Sequence, residues 1–322
     1  MLSRRHFIAG TALSVATPGL VRAQGQQGKI ITLIVPFAAG GGTDTIGRII
    51  AEHISTTLGR QVVVENRPGA GSNIGIEAAS RAEPNGDTIL IASIGFAINR
   101  FLYRNPGWDP VKSFDPISFI GYVPNIMAVP NSSPAKSVAE FIAYAKSKPG
   151  ALTYASAGVG SSLHLCAELF QKTAGIKMVH VPYRGSAPAL SDVIAGRVDS
   201  IFDVLTAINS QIEGKTLRGL AVTSAERTPA SGSLPTVSES GLPGFDFSTW
   251  FGMFAPKNTP KNIIDAYSKA VQEATRTAAI KAKLEKIGVG VVGSDPAALS
   301  AHVNKEMARW EPIIQGAGIQ PQ

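Results

Sequence analysis

The sequence predicts an α/β fold of two lobes, the second inserted into the first, with a ligand cleft at the hinge between them. Three observations carry this expectation. Short apolar, β-branched runs alternate with helical patterns, as expected of βα units on a parallel sheet. Two separate sets of such units occur, each containing a strand, a glycine-bearing loop and a helix start. Two further extended segments, Ile117 to Pro130 and Phe247 to Ala255, lie where the chain would cross from one lobe to the other and return.

The first set begins at Ile30 to Val35, a run apolar enough for a strand buried on both faces. Pro36 stops it, and Gly40, Gly41 and Gly42 form a loop whose backbone can approach a ligand closely. Thr43 or Asp44 can cap the helix that follows, whose free N–H groups and positive dipole end face the loop. Strand, glycine loop and helix N-terminus together suit an anion. The loop is neither a Walker motif, since no Gly-Lys-Ser/Thr closes it, nor a Gly-x-Gly-x-x-Gly fingerprint.

Gln61 to Glu65 reads as a second strand, and Asn66 to Asn73 as a turn-rich loop leading into a helix at Ile74 to Ala82. Thr88 to Ala92 is a third strand, and Ser93 to Phe96 then falls at the strand ends, where open α/β sheets bind ligands. After an irregular Pro-rich segment, Ile117 to Pro130 reads as two extended pieces, and Ser137 to Lys148 as an amphipathic helix.

The second set comprises strands at Leu152 to Ala155, Met178 to Val181 and Asp199 to Phe202, with helices at Ser162 to Thr173 and Ala187 to Ala195. Leu217 to Thr223 is a further strand, and Thr228 to Pro243 a Pro/Ser/Gly-rich connection. Beyond the return crossing come helices from Lys261 to Ala278 and on to Ile287, a short strand at Gly290 to Val292, and a last helix from Pro296 to Gly316. The expected division is residues 24–125 with 243–322 as lobe I and residues 126–242 as lobe II.

Residues 1–23 have the form of an export signal. Arg4 and Arg5 precede a mostly apolar run, and Val21-Arg22-Ala23 offers a small-x-small cleavage pattern. Ser3-Arg4-Arg5-His6-Phe7-Ile8 resembles a twin-arginine signal, with a general secretory signal as the alternative. The destination expected is the periplasm. The whole chain carries +7, and removing Arg4, Arg5 and Arg22 leaves about +4. That excess lies in no basic run, which argues against nucleic acid and fits small anions better. Cys166 is the only cysteine, so no internal disulfide can form, and its apolar neighbours suggest a buried small hydrophobe.

The second glycine loop supplies the facing wall of the expected cleft: Ser156, Ala157, Gly158, Gly160 and Ser161, with His164 in the first turn of the helix. Ser161, His164 and Asp203 are the residue types of a hydrolytic triad, but no Gly-x-Ser-x-Gly elbow surrounds Ser161. The three-residue spacing of Ser161 and His164 suits helix capping better than nucleophile and base. His164 and Glu168 have i, i+4 spacing but lack a His-Glu-x-x-His motif, so no metal site is assigned, and no cofactor is called for. Tyr183 offers an aromatic wall, Arg184 a carboxylate fork, and Gly185 the turn behind them. Asp203 either accepts a ligand donor or caps the helix after it.

Five segments in order carry a family resemblance: Val35-Pro36-Phe37-Ala38-Ala39-Gly40-Gly41-Gly42-Thr43-Asp44, Val64 to Gly71, Tyr154 to Gly158, His180 to Gly185, and Trp250-Phe251-Gly252. With them the chain closely resembles the extracytoplasmic solute receptors of tripartite tricarboxylate transporters, the Bug family. The resemblance implies a type II periplasmic-binding-protein fold that captures an organic carboxylate between two lobes. It places one carboxylate near Phe37 to Asp44, and reads the far end of the ligand around Ser156 to Ser161 and Tyr183 to Gly185. Ala38-Ala39 stands where Pro-Pro is common in the family, Ser72 where glycine is common, and Arg184 where lysine is.

The expectation is thus a binding protein whose closed form is recognised by membrane permease subunits and which acts as a monomer. A periplasmic partner of a sensor kinase and a hydrolase on the same two lobes are the alternatives. Phe96 and Tyr183 would suit an aromatic carboxylate, and Asp203 a ligand bearing a donor. Citrate-like, C4-dicarboxylate and amino-dicarboxylate ligands all fit this reading.

Overall fold

The computed structural model describes residues 30–316 and residue 321, so the export signal expected at residues 1–23 lies outside the described residues. Its first strand, β1 (Ile31–Val35), leads through the glycine loop into α1 (Gly42–Leu58). Alternation along β1 sends Ile31, Leu33 and Val35 into the apolar layer on one face of the sheet and Ile34 into the layer on the other. Helix α1 buries Ile46, Ile50 and Ile54 at i, i+4 spacing against the same layer as Leu33, and ends at Gly59 in the left-handed conformation.

The chain continues through β2 (Val62–Asn66), α2 (Asn73–Ser80), β3 (Thr88–Ala92) and α3 (Ile94–Leu102). Strands β2, β1 and β3 pair in parallel, as βα units require. Helix α3 was not foreseen; it starts directly after Ser93, where only a strand end was expected, and buries nearly every side chain. The two extended pieces expected over Ile117 to Pro130 are instead one seventeen-residue strand, β4 (Phe114–Pro130). Register shifts near Pro116 and Phe119 absorb its irregularities.

The second lobe follows as α4 (Val138–Ser147), β5 (Thr153–Ser156), α5 (Ser162–Ala174), β6 (Val179–Pro182), α6 (Ser186–Ile194), β7 (Ser200–Val204), α7 (Leu205–Glu213) and β8 (Leu217–Val222). Its strands β6, β5 and β7 are again parallel. The return is β9 (Ser248–Pro256), followed by α8 (Lys261–Arg276), α9 (Ala278–Lys286), β10 (Gly290–Val291) and α10 (Pro296–Gly316).

Both lobes hang on β4. Its first part, to Pro124, pairs antiparallel with β9, and its last residues pair with β7 and β8. Asn125 stands at the changeover, fully buried, and all its polar groups are engaged. Its side chain donates to Phe202 O (2.8 Å) and accepts from Thr249 Oγ1 (2.7 Å), while its backbone N–H donates to Thr223 Oγ1 (2.8 Å). The Thr223 hydroxyl in turn donates to the carbonyls of Asn125 and Phe247. A buried amide with every partner in place holds one geometry, so the two crossing strands and the strand ends of both lobes are tied together at the hinge.

Candidate functional site

Where the two lobes meet at the strand ends, the structure forms a narrow pocket, partly open to solvent. Phe37, Gly41, Gly42 and Thr43 line it from the first glycine loop, and Ser93 from the end of β3. Ala157, Ser161, Ser162 and Leu163 face them from the second loop, with Ser186, Asp203 and Val204 beside them and Thr249 and Phe251 on the return strand. Five helices begin on this wall: α1 at Gly41, α3 at Ser93, α5 at Ser161, α6 at Ser186 and α7 at Val204. Only α5 among them has a side-chain cap, the Ser161 hydroxyl accepting from His164 N. The other four present uncapped N-terminal peptide groups, and the wall adds the hydroxyls of Thr43, Ser93, Ser161, Ser162, Ser186 and Thr249. Among the described residues, no lysine, arginine or histidine lines the cavity. Such a wall holds an anion with peptide dipoles and hydroxyls rather than with a counter-charge.

Among the described residues, Asp203 is the only ionisable group on this wall, and it is fully buried. One oxygen accepts from the Ser186 hydroxyl and the other from Val204 N–H (2.8 Å). Burial pushes its pKa up to about 7, against the lowering effect of those two hydrogen bonds. The carboxyl therefore holds the backbone just before α7 without capping the helix's own free N–H groups, while also facing the cavity.

Of the other residues expected here, several shape the wall without lining it. Gly40 N–H donates to Asp44 Oδ2 (3.0 Å), and the Asp44 carboxylate also accepts from Arg48 and Asn66. Burial works to raise the Asp44 pKa, but these hydrogen bonds outweigh it and hold the group below its usual value. Asp44 thus fixes the glycine loop from behind. Ser156 and Gly158 form a tight turn, Gly158 N–H donating to Ser156 Oγ (3.0 Å), and Ser156 Oγ also contacts His180 Nε2. Gly160 N–H donates to His164 Nδ1 (3.3 Å), so this imidazole supports the loop as an acceptor. Burial drops the pKa of His164 to about 4 and of His180 to about 3, and the two neutral rings stack 4.4 Å apart. Ser161 Oγ donates to Gly158 O (2.7 Å), and neither His164 nor Asp203 is its hydrogen-bond partner through a side chain. The three do not form a triad.

Three expectations move. Phe96 does not face the cavity; it lies in an aromatic cluster with Phe254 (3.9 Å between centroids), Phe114 and Trp108 inside lobe I. Tyr183 and Arg184 line a separate outer groove with Gly71, Tyr103 and Val159. The Tyr183 hydroxyl donates to Asp192 (2.6 Å), and Arg184 is exposed with no ion pair among the described residues. The physical reason is Gly185, which turns the chain so that α6 offers its N-terminus, rather than these side chains, to the cavity. Gly185 itself packs against Ala38 of the first loop. Arg184→Ala is accordingly expected to leave Kd for a dicarboxylate within about twofold, as for other exposed positions. Calorimetric titration checks this, and a tenfold loss would put Arg184 on the ligand after all.

Sequence reasoning missed Ser162, Leu163, Ser186, Val204, Thr249 and Phe251. A signal existed for Thr249 and Phe251, which alternate with buried Trp250 and so share the opposite face of the return strand.

Comparison with known proteins agrees with this geometry. A model of the tripartite tricarboxylate transporter family receptor matches residues 46–319. The chain belongs to this family. Among solved structures, the receptor is similar to the periplasmic binding protein BugD, with a TM-score of 0.88 at 36% identity over 91% of this chain and 99% of that one. Rpa4515 of R. palustris, solved with adipate, gives a TM-score of 0.88 at 38% identity over 91% of this chain and 98% of its own. MatC (Rpa3494) from Rhodopseudomonas palustris, with bound malate, gives 0.84 at 30% identity over 88% and 98%. The receptor has the two-lobe fold of these periplasmic binding proteins. No helix among its described residues is long and apolar enough to cross a membrane.

Proposed function

We propose that the receptor captures a small organic dicarboxylate in the periplasm and presents it to the membrane permease of a tripartite tricarboxylate transporter. The observation that carries this reading is the convergence of five helix N-termini on one interlobe cavity whose wall carries no cation. The adipate and malate held by two relatives support the ligand class. Lobe I is residues 24–125 with 243–322, and lobe II is residues 126–242. Phe37, Gly41, Gly42, Thr43 and Ser93 hold the ligand from lobe I, and Ala157, Ser161, Ser162 and Ser186 from lobe II. No chemistry is performed on the ligand. Its contacts to both lobes stabilise the closed form, and the permease recognises that form. The receptor acts as an exported monomer.

The test is thermal unfolding of the exported receptor with a panel of mono-, di- and tricarboxylates. Ligand at about a hundredfold over Kd adds about 2.7 kcal/mol, which raises Tm by a few degrees in a chain of this size. A shift with one or more dicarboxylates, the compound being recovered unchanged, is the expected result. Turnover of the compound would indicate an enzyme. Silence across the panel, with mass spectrometry showing no copurified acid, would sink the carboxylate reading.

A further inference from the structure

The Asp203 carboxyl poses a charge problem that the proposed function does not resolve. It is fully buried on the wall of a cavity whose expected occupant is itself a dianion. No basic side chain lines that cavity, and no ion pair reaches Asp203 among the described residues. Five helix N-termini, each equivalent to about half a positive charge, together offset about two and a half negative charges. That covers a dicarboxylate and leaves the third negative charge at best half compensated. Like charges enclosed together away from water do not all remain ionised.

We propose that the receptor binds its dicarboxylate together with one proton, which resides on Asp203, and this rests on the carboxylate reading above. The titratable groups on the elements packed against β7 offer no other resolution. They are Asp115 and Tyr122 of β4, Tyr154 of β5, His164, Cys166, Glu168 and Lys172 of α5, Asp192 of α6 and Glu213 of α7. None of them hydrogen-bonds or ion-pairs with Asp203. Tyr154 is committed to Glu168 (2.5 Å), Asp192 to Arg197 and Tyr183, and His164 stays neutral as an acceptor from Gly160 N–H. Asp44, on the neighbouring α1, is neutralised by Arg48 (3.0 Å). The hydrogen bonds at Asp203 are compatible with a proton, because Val204 N–H serves one oxygen and the Ser186 hydroxyl can turn to accept from the other. In the free receptor the same carboxyl has a pKa near 7, so it is already poised to take the proton near neutral pH.

Binding favours protonated Asp203, so affinity is highest below the free pKa and falls as pH rises through it, by about tenfold per pH unit. The experiment is calorimetric titration of the intact receptor with adipate and with malate, in pairs of buffers of different ionisation enthalpy, between about pH 6 and 9. The expected result is uptake approaching one proton per ligand at about pH 8 and falling toward zero near pH 6. Asp203→Asn should abolish the uptake and flatten the pH dependence. Should that variant fail to fold, the wild-type proton count decides alone. Binding with no uptake at pH 8 overturns the proposal while leaving the carboxylate reading intact, and so does tighter, proton-independent binding of an amino-dicarboxylate that brings its own ammonium to Asp203. Absence of binding by any carboxylate overturns both.

Discussion

Replacing Gly42 with alanine is expected to weaken dicarboxylate binding by about tenfold to a hundredfold without unfolding either lobe. Gly42 is the first residue of α1, and across the cleft it meets the start of α7. A methyl group there would overlap Thr206 Oγ1 and Val204 Cγ2, both carried by the opposite lobe. The clash falls between lobes and not within one, so opening the hinge relieves it. Within α1 itself the change is favourable, because alanine is the better helix former. Overpacking a close contact costs about 1–3 kcal/mol, and here that cost is charged to the closed state alone, giving the stated loss in affinity. Titration calorimetry reads the affinity, and small-angle scattering reads the expected increase in radius of gyration of the free receptor. Unchanged affinity would mean that Val204 and Thr206 repack locally and that the approach of α1 to α7 does not gate closure.

That contact also shows what sequence can and cannot carry. The strand, glycine loop and start of α1 were legible because each is a local pattern: an apolar run stopped by Pro36, glycines, and then helical periodicity. The same holds for the second loop at Ser156 to Ser161. What α1 packs against was not legible, since Val204 and Thr206 lie more than 150 residues away. Phe96 failed for the same reason. Its position after a strand end suits a cleft wall, but Trp108, Phe114 and Phe254 take the ring into the core. Tyr183 and Arg184 drew attention by residue type, whereas the cavity uses the peptide groups and small hydroxyls that follow them, which carry little signal one residue at a time. Helix α3 was hidden because it starts one residue after β3 ends, so the apolar run Ile94 to Ile98 continues the strand's own apolar pattern. The crossing over Ile117 to Pro130 was expected as two extended pieces, whereas β4 runs through it as one strand with register shifts near Pro116 and Phe119.

Asp203→Asn is expected to stabilise the free receptor at alkaline pH and to have little effect in acid. The buried carboxyl has its pKa raised from 3.8 to about 7, chiefly by desolvation, so the folded state binds more protons than the unfolded state between those values. Stability contributed by this group is therefore fully present below about pH 4 and is withdrawn as pH rises toward 7, the reverse of a salt-bridged carboxylate. A gap of about three pH units corresponds to about 4 kcal/mol at most once Asp203 is ionised. An amide avoids that cost, and it can still accept from Val204 N–H while donating to the Ser186 hydroxyl. Denaturant unfolding of wild type and variant at about pH 5 and pH 8 measures the difference directly. The variant should gain on wild type by about 1–3 kcal/mol more at the higher pH, allowing for partial relaxation around the charge. A constant difference across pH would show that Asp203 is ionised throughout, held so by the α7 N-terminus, and that the helix dipole outweighs desolvation at this site.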